Sequence, residues 1–127
     1  MSRSEDELSE IIVNTCYSVH EDLGPGLLES VYEEILYYEL KSKGLKVARQ
    51  VALPLVWKNV KMGIGFRANL VVENKIIVEL KSVDQIAPIH MQQLKTYLKI
   101  SGINLGLLVN FNKSQLKEGI TRVINKH

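Results

Sequence analysis

The stretch FRANLVVENKIIVELK, Phe66 to Lys81, constrains the fold of this chain more than any other. Two runs rich in β-branched and apolar residues flank the polar triplet Glu73-Asn74-Lys75, the pattern of two strands joined by a tight turn. Side chains alternate along a strand, so Phe66, Ala68, Leu70 and Val72 are expected on one face and Arg67, Asn69 and Val71 on the other. A two-residue turn would pair Val72 with Lys75 and mix the faces. A three-residue loop pairs Val72 with Ile76 and keeps the apolar residues together. Register follows the buried face, so the second arrangement is predicted. Asn74 tolerates the left-handed conformation such a loop needs.

This register sets Asn69 across from Glu79, and Arg67 across from Lys81. Acidic groups at positions 69 and 79 would lie close enough to share one divalent cation, and Lys81 would reach the same place. Mg²⁺ takes oxygen ligands and keeps several waters. Such a metal lowers the pKa of bound water and neutralises charge on a phosphate. A neighbouring lysine stabilises the charged transition state. At position 69, however, the chain offers an amide where this chemistry wants a carboxylate.

The remaining elements follow from periodicity and punctuation. A first helix is predicted from about Glu5 to His20, with Leu8, Ile11, Ile12, Thr15 and Val19 on one stripe, ended by Leu23-Gly24-Pro25-Gly26. A second runs from about Leu28 to Lys43, with Leu28, Val31, Tyr32, Ile35 and Tyr38 as its apolar side and Gly44 as its left-handed cap. Val47 to Trp57 suits a strand, bent or at an edge where Pro54 falls. Pro88 to Ile100 is helical, with proline in its first turn. Leu105 to Val109 is a strand buried on both faces. Ser114 is expected to cap a last helix carrying Leu116, Ile120, Val123 and Ile124. The sum is an α/β fold, a mixed β-sheet flanked by helices in the order α-α-β-β-β-α-β-α.

A chain of 127 residues with ordinary composition is expected to form one domain, residues 1–127. No apolar run reaches the roughly 20 residues that span a bilayer, so no membrane partner is expected. The polar, acidic start MSRSEDELSE is unlike a signal peptide, and the lone Cys16 reads as a small core residue. These features point to the cytoplasm. A net charge of +2 is compatible with nucleic-acid binding without arguing for it. Basic clusters fall at Lys41, Lys43, Lys46 and Arg49, at Lys58 and Lys61, and at Lys113, Lys117, Arg122 and Lys126. Gly24-Pro25-Gly26 and Gly63-Ile64-Gly65 are turn signals that lack the lysine and spacing of a phosphate-binding loop.

The order of elements and Glu79-Leu80-Lys81 resemble the PD-(D/E)XK nuclease superfamily, the restriction-endonuclease-like fold. Gly26-Leu27-Leu28-Glu29-Ser30-Val31-Tyr32 is similar to the motif that names the GxxExxY proteins, a small family placed in that superfamily. The likeness runs from about Leu8 to Ile124. It takes in Gly24-Pro25-Gly26, the strand of Glu79, the helix His90-Met91-Gln92-Gln93-Leu94-Lys95-Thr96-Tyr97-Leu98, and Gly106-Leu107-Leu108-Val109-Asn110-Phe111. The resemblance implies Mg²⁺- or Mn²⁺-dependent phosphodiester hydrolysis of nucleic acid, DNA first. It implies Glu79 as a metal ligand, Lys81 as the catalytic lysine, and Glu29 as the acidic residue of the helix before the sheet. Gln93 and Tyr97 match the Gln-x-x-x-Tyr of the exonuclease-like branch, and with His90 they share a helix face toward substrate. The departure is Asn69, which stands at the position of the principal metal-binding aspartate. Two origins fit: a naturally impaired or repurposed site, or an exchange of aspartate for its closest isostere. The chemistry of this chain is expected to be impaired in either case.

Simpler readings stand beside these. Glu79 and Lys81 suit a charged strand surface, and Glu29 suits the positive end of a helix dipole. Tyr32 reads as core, Trp57 beside Lys58 suits stacking on a base but as a lone strand tryptophan reads first as packing, and His20 and His90 read as surface or helix-end residues. Two further functional classes compete with the nuclease. One is a non-catalytic module that holds nucleic acid or protein in the same cleft, and the other is an oligomerisation domain. A homodimer is the arrangement by which so small a domain would grip a duplex.

Overall fold

The computed structural model describes residues 3–63 and 65–125, so the readings placed on Ile64, Lys126 and the first two residues lie outside it. Helix α1, Glu5–Leu23, starts where Ser4 accepts the Glu7 N–H and the Glu7 carboxylate accepts the Ser4 N–H, closing a capping box. It ends at Gly24, whose φ of 69° suits glycine. Its buried stripe is Leu8, Ile12, Cys16 and Val19, so the cysteine is a core residue as its neighbours suggested. Helix α2, Glu29–Ser42, buries Tyr32, Glu33, Leu36 and Leu40. That corrects the expected stripe: Leu28, Val31 and Tyr38 are exposed. Tyr32 stacks on Phe111 with ring centroids 4.3 Å apart, and this contact rotates Leu36 and Leu40 inward at helical spacing and carries Glu33 in with them.

Five strands form a mixed sheet in the order β1-β4-β5-β6-β7. They are β1 (Val47–Leu53), β4 (Phe66–Val72), β5 (Ile76–Lys81), β6 (Leu105–Asn110) and β7 (Ile120–Ile124). Two short strands, β2 (Val56–Trp57) and β3 (Val60–Lys61), make a separate hairpin between β1 and β4. The expected strand Val47 to Trp57 is thus broken where Pro54 falls. Helix α3, Pro88–Ser101, is the crossover that lets β5 and β6 run parallel. One face of the sheet packs on α1 and α2 through Leu70, Val78, Leu80 and Leu107. The other packs on α3 through Val71, Ile77, Leu108 and Leu94. Strands β5 and β6 are therefore apolar almost throughout.

Val72 pairs with Ile76 as predicted. Glu73 and Asn74 both take left-handed φ values of 54°, and the Lys75 N–H closes the turn on the Val72 carbonyl. The predicted faces of β4 hold only in part. Leu70 and Val72 face α1 and α2, whereas Phe66 and Ala68 join the α3 side. The change of face falls level with Gln50, where a φ of 52° interrupts β1. The ladder to β4 runs from Val47–Val72 to Arg49–Leu70 and resumes at Val51–Ala68.

The predicted last helix is a correction. Leu116–Gly119 is a single 3₁₀ turn and Ile120–Ile124 is strand β7, antiparallel to β6, so the described residues hold three helices. Ile120, Thr121, Val123 and Ile124 are β-branched and favour a strand, and β6 gains a partner on its outer edge. Gly119 makes the switch possible, because a Cβ there would lie 2.3 Å from the Asn110 carbonyl oxygen. Gly119→Ala is accordingly expected to lower stability by about 1–3 kcal/mol in urea melts followed by circular dichroism. A variant as stable as the parent would show that the turn gives way without cost.

Candidate functional site

The sheet opens at one end. The β4–β5 ladder runs from Val72–Ile76 to Leu70–Val78, and beyond it a side chain takes over the backbone's work. The Leu80 N–H donates 2.9 Å to Asn69 Oδ1, and the Asn69 N–H donates 3.4 Å to Glu79 Oε1. Asn69 Nδ2 then donates to two carboxylates of α2, Glu33 Oε1 at 2.8 Å and Glu29 Oε1 at 3.3 Å. These partners fix which way round the amide sits. An N–H donor requires the amide oxygen, and two carboxylates require the NH₂.

Glu33 is the residue the sequence reading missed. It is 3% exposed and holds Asn69, Gln50 and Arg49 at once. Gln50 Nε2 donates to Glu33 Oε1 at 2.5 Å, and Arg49 Nη2 lies 3.1 Å from Glu33 Oε2. The left-handed backbone of Gln50 that interrupts β1 thus brings its amide toward Glu33. The signal was present in the spacing, since Glu29 and Glu33 are four apart on one helix face.

Of the residues singled out in the sequence, Glu29, Asn69 and Glu79 are brought together. Burial pushes the Glu79 carboxyl up to about 7. The Asn69 N–H and the Lys81 charge act the other way, and Glu29 and Glu33 push it further up. Lys81 is thus near enough to be felt. Tyr97 is half-buried on α3; burial and the Glu79 charge raise its phenol pKa. Gln93 lies one turn before Tyr97, also half-buried. His90 has a structural partner: its Nδ1 accepts the Ala87 N–H at 3.1 Å and caps the start of α3.

The other flagged residues serve the frame. The Tyr32 hydroxyl donates 2.6 Å to the Gly24 carbonyl and accepts the Leu27 N–H, which pins the loop that delivers Glu29. His20 Nε2 lies 2.7 Å from the Lys113 carbonyl oxygen. Burial raises the Cys16 thiol to about 12, which leaves it inert.

The Asn69 oxygen is occupied by the Leu80 N–H, and its NH₂ stands between the carboxylates, so hydrogens fill the place of a cation. Among the described residues, no group of three His, Cys, Asp or Glu is placed to hold a metal ion. With asparagine at this position the site does not fit one. Among the described residues, no helix is long and apolar enough to cross a membrane.

A sheet opened at one end, with carboxylates and a lysine at the opening and helices on both faces, defines a nuclease-like fold. The family model of the PD-(D/E)XK nuclease superfamily matches residues 6–123, and the chain belongs to that superfamily. As a class, these nucleases generally depend on a divalent metal. Among solved structures, SSO0001 aligns over 97% of this chain and 60% of its own, with a TM-score of 0.59 and 20% identity. An alkaline exonuclease, LHK-Exo from Laribacter hongkongensis, aligns over 99% of this chain and 73% of its own, with a TM-score of 0.51 and 11% identity. At such identities the likeness shows the fold, and this chain spans three fifths of the length of SSO0001. No curated protein sequence matches it.

The Glu79 shift has a consequence for stability. Its folded pKa of about 7 lies above the ordinary 4.5, so the native state holds this proton more tightly than the unfolded chain. The group's stabilising effect is full below about pH 4.5 and is lost as pH rises through 7, by at most about 3.5 kcal/mol. Glu79→Gln keeps an acceptor for the Asn69 N–H and should flatten this part of a stability–pH curve measured by urea melts. An unchanged slope would place Glu79 in a wetter site.

Proposed function

We propose that this chain is a single nuclease-like domain of the GxxExxY group that acts on nucleic acid, DNA in the first place, with metal-dependent phosphodiester hydrolysis impaired by Asn69. The observation that carries the reading is the amide of Asn69, which takes the central place among carboxylates in a nuclease-fold protein. Group membership is supported by the Gly26-to-Tyr32 motif, whose Glu29 reaches Asn69 and whose Tyr32 ties down the preceding loop. Glu79, Glu29 and an aspartate at position 69 would hold Mg²⁺ or Mn²⁺, and Lys81 would stabilise charge on phosphate. The His90 ring and the Gln93–Tyr97 face would meet the substrate. A cytoplasmic location and a homodimer belong to the same proposal.

The locked amide also favours a second reading, in which the cleft holds nucleic acid without cutting it. Binding would then persist in chelator and fall steeply with salt. The two readings separate in a Mn²⁺ cleavage assay on single-stranded, duplex and branched DNA. Asn69→Asp is expected to cut at least about 100-fold faster than the parent, since loss of even an outer partner typically costs a metal site roughly 10- to 100-fold. Asn69→Asp combined with Lys81→Ala should be inactive. Inactivity of all three chains, with binding intact in chelator, would leave the binding module.

Stability offers a readout independent of turnover. Asn69→Asp replaces an NH₂ donor with a third acidic oxygen facing Glu29 and Glu33, so in chelator it should melt below the parent. Mn²⁺ at about 100 times its dissociation constant would restore about 2.7 kcal/mol. The parent should not respond. An equal metal response from both chains would sink the proposal.

A further inference from the structure

The hairpin of β2 and β3 buries neither of its faces. Trp57 pairs with Val60 on one side and Val56 with Lys61 on the other. Trp57 is 64% exposed, Val60 57% and Val56 56%. Of the two roles the sequence allowed Trp57, packing and stacking on a base, its exposure argues against the first. The turn residues Lys58 and Asn59 both take positive φ, 48° and 66°, which fits the mirror-image turn of a two-residue hairpin. An isolated two-stranded hairpin is marginal in water. One that spends its aromatic residue on solvent is shaped for something outside the chain.

Charge says what. Between Glu39 and Glu73 the sequence has no acidic residue, while Arg49, Lys58, Lys61 and Arg67 are among the basic ones there. This stretch forms the edge strand β1, the hairpin and β4. The Lys58 ammonium lies 5.9 Å from the centre of the Trp57 ring, so the tip presents a flat aromatic face and a cation together. Base stacking on an aromatic ring with lysines on the neighbouring phosphates is how single strands are held without regard to sequence.

Position ties the hairpin to the carboxylate cluster. It leaves the sheet beyond Leu53 and Phe66, three residues along β4 from Asn69, or about 10 Å at strand spacing. At its root is a groove of about 290 Å³ walled by Lys61, Met62, Phe66 and Arg67. The Phe66 ring lies 4.4 Å from that of Tyr97, which in turn feels the Glu79 charge. Lys61 and Arg67 in the wall of this groove place cations on the hairpin's side of it.

We infer that the β2–β3 hairpin is a grip for single-stranded nucleic acid, stacking a base on Trp57 and drawing the flanking phosphates to Lys58 and Lys61 so that the strand runs through the root groove toward Asn69. This rests on the reading that the cleft takes nucleic acid. A duplex hides its base faces, so the grip selects single strands or frayed ends.

Trp57 is the chain's single tryptophan, so its emission reports on the hairpin without a label. Titrating the full chain in chelator with a twelve-nucleotide oligodeoxythymidine, the matching oligouridine and a twelve-base-pair duplex should quench that emission with either single strand and far less with the duplex. Trp57→Ala should weaken single-strand binding by filter assay roughly 5- to 150-fold, the range for one stacked base. Trp57→Phe should recover most of the loss. Lys58→Ala with Lys61→Ala should lower the salt slope by about 1.4, about 0.7 for each phosphate that no longer meets a lysine. All these side chains are exposed, so the melting curve serves as the control for folding.

Unquenched emission, or tight binding by Trp57→Ala, overturns the proposal. So does emission that changes only with protein concentration, which assigns the hairpin to a second copy, or only with anionic phospholipid vesicles, which assigns it to a membrane surface. The failures stay separable, because cleavage by Asn69→Asp does not require Trp57. Cutting without quenching removes the grip and keeps the nuclease reading. Quenching by a chain whose Asn69→Asp form is inert keeps the grip and removes that reading.

Discussion

Three carboxylates converge where the sheet opens, and the hydrogen bonds of Asn69 make that convergence tolerable. Glu33 and Glu79 are buried and Glu29 half-buried near them, an arrangement that like charges resist unless a cation or a strong donor stands between them. The Asn69 NH₂ supplies two charge-assisted hydrogen bonds, each worth about 1.5–3 kcal/mol. Its oxygen meanwhile satisfies the Leu80 N–H, which the end of the β4–β5 ladder would otherwise leave unpaired. One side chain thus serves as strand partner and as substitute for a cation. Aspartate has the same shape and could keep the bond to Leu80. It could not keep those to Glu29 and Glu33, and a cation would have to replace them.

The opening of the sheet depends on irregular backbone placed at the same level on two strands. Gln50 takes a left-handed conformation on β1 opposite Asn69, and the β4–β5 ladder stops one residue away. A regular sheet would send Asn69 and Leu70 to opposite faces. Here Leu70 packs with α1 and α2, and Asn69 also reaches α2. Left-handed backbone at a residue other than glycine is uncommon and costs free energy. The bond from Gln50 Nε2 to Glu33 and the Arg67 bond to the Gln50 carbonyl hold it. The strained residue and the buried acid therefore support each other.

The parts of this fold legible in the sequence were those where a local rule and the core agreed. Register across Val72–Ile76 could be read because only one pairing kept the apolar residues together. The helix ends at Gly24 and Gly44 could be read because each needs a positive φ, 69° and 83°. Where tertiary contacts overrode a local pattern, the reading failed. Ile120 to Ile124 carry apolar residues at helical spacing, yet the open edge of β6 recruited them as a strand. Of the expected apolar side of α2, Tyr32 and Ile35 pack on the core, but Leu28, Val31 and Tyr38 are exposed, because Phe111 draws the Tyr32 side inward. Glu29, Asn69 and Glu79 were found through family resemblance joined to register. Glu33 was passed over because a glutamate in a helix ordinarily faces water. Its burial depends on Arg49 and Gln50, which are near it only in the folded chain.

The charges separate in a way that bears on what the surface can hold. The opening of the sheet gathers carboxylates, while the edge strand and the hairpin beyond it carry basic residues without acids among them. Near pH 7 Glu79 is close to its own pKa, and Arg49 compensates Glu33, so the cluster is less negative than its composition suggests. It still repels a phosphodiester more than it attracts one as long as no cation sits in it. On the proposed reading, affinity for nucleic acid then arises on the basic rim and not at the carboxylates. Hydrolysis and holding are consequently separable in this fold: exchanging one oxygen for an NH₂ group at position 69 removes the fit to a metal and leaves the rim as it was.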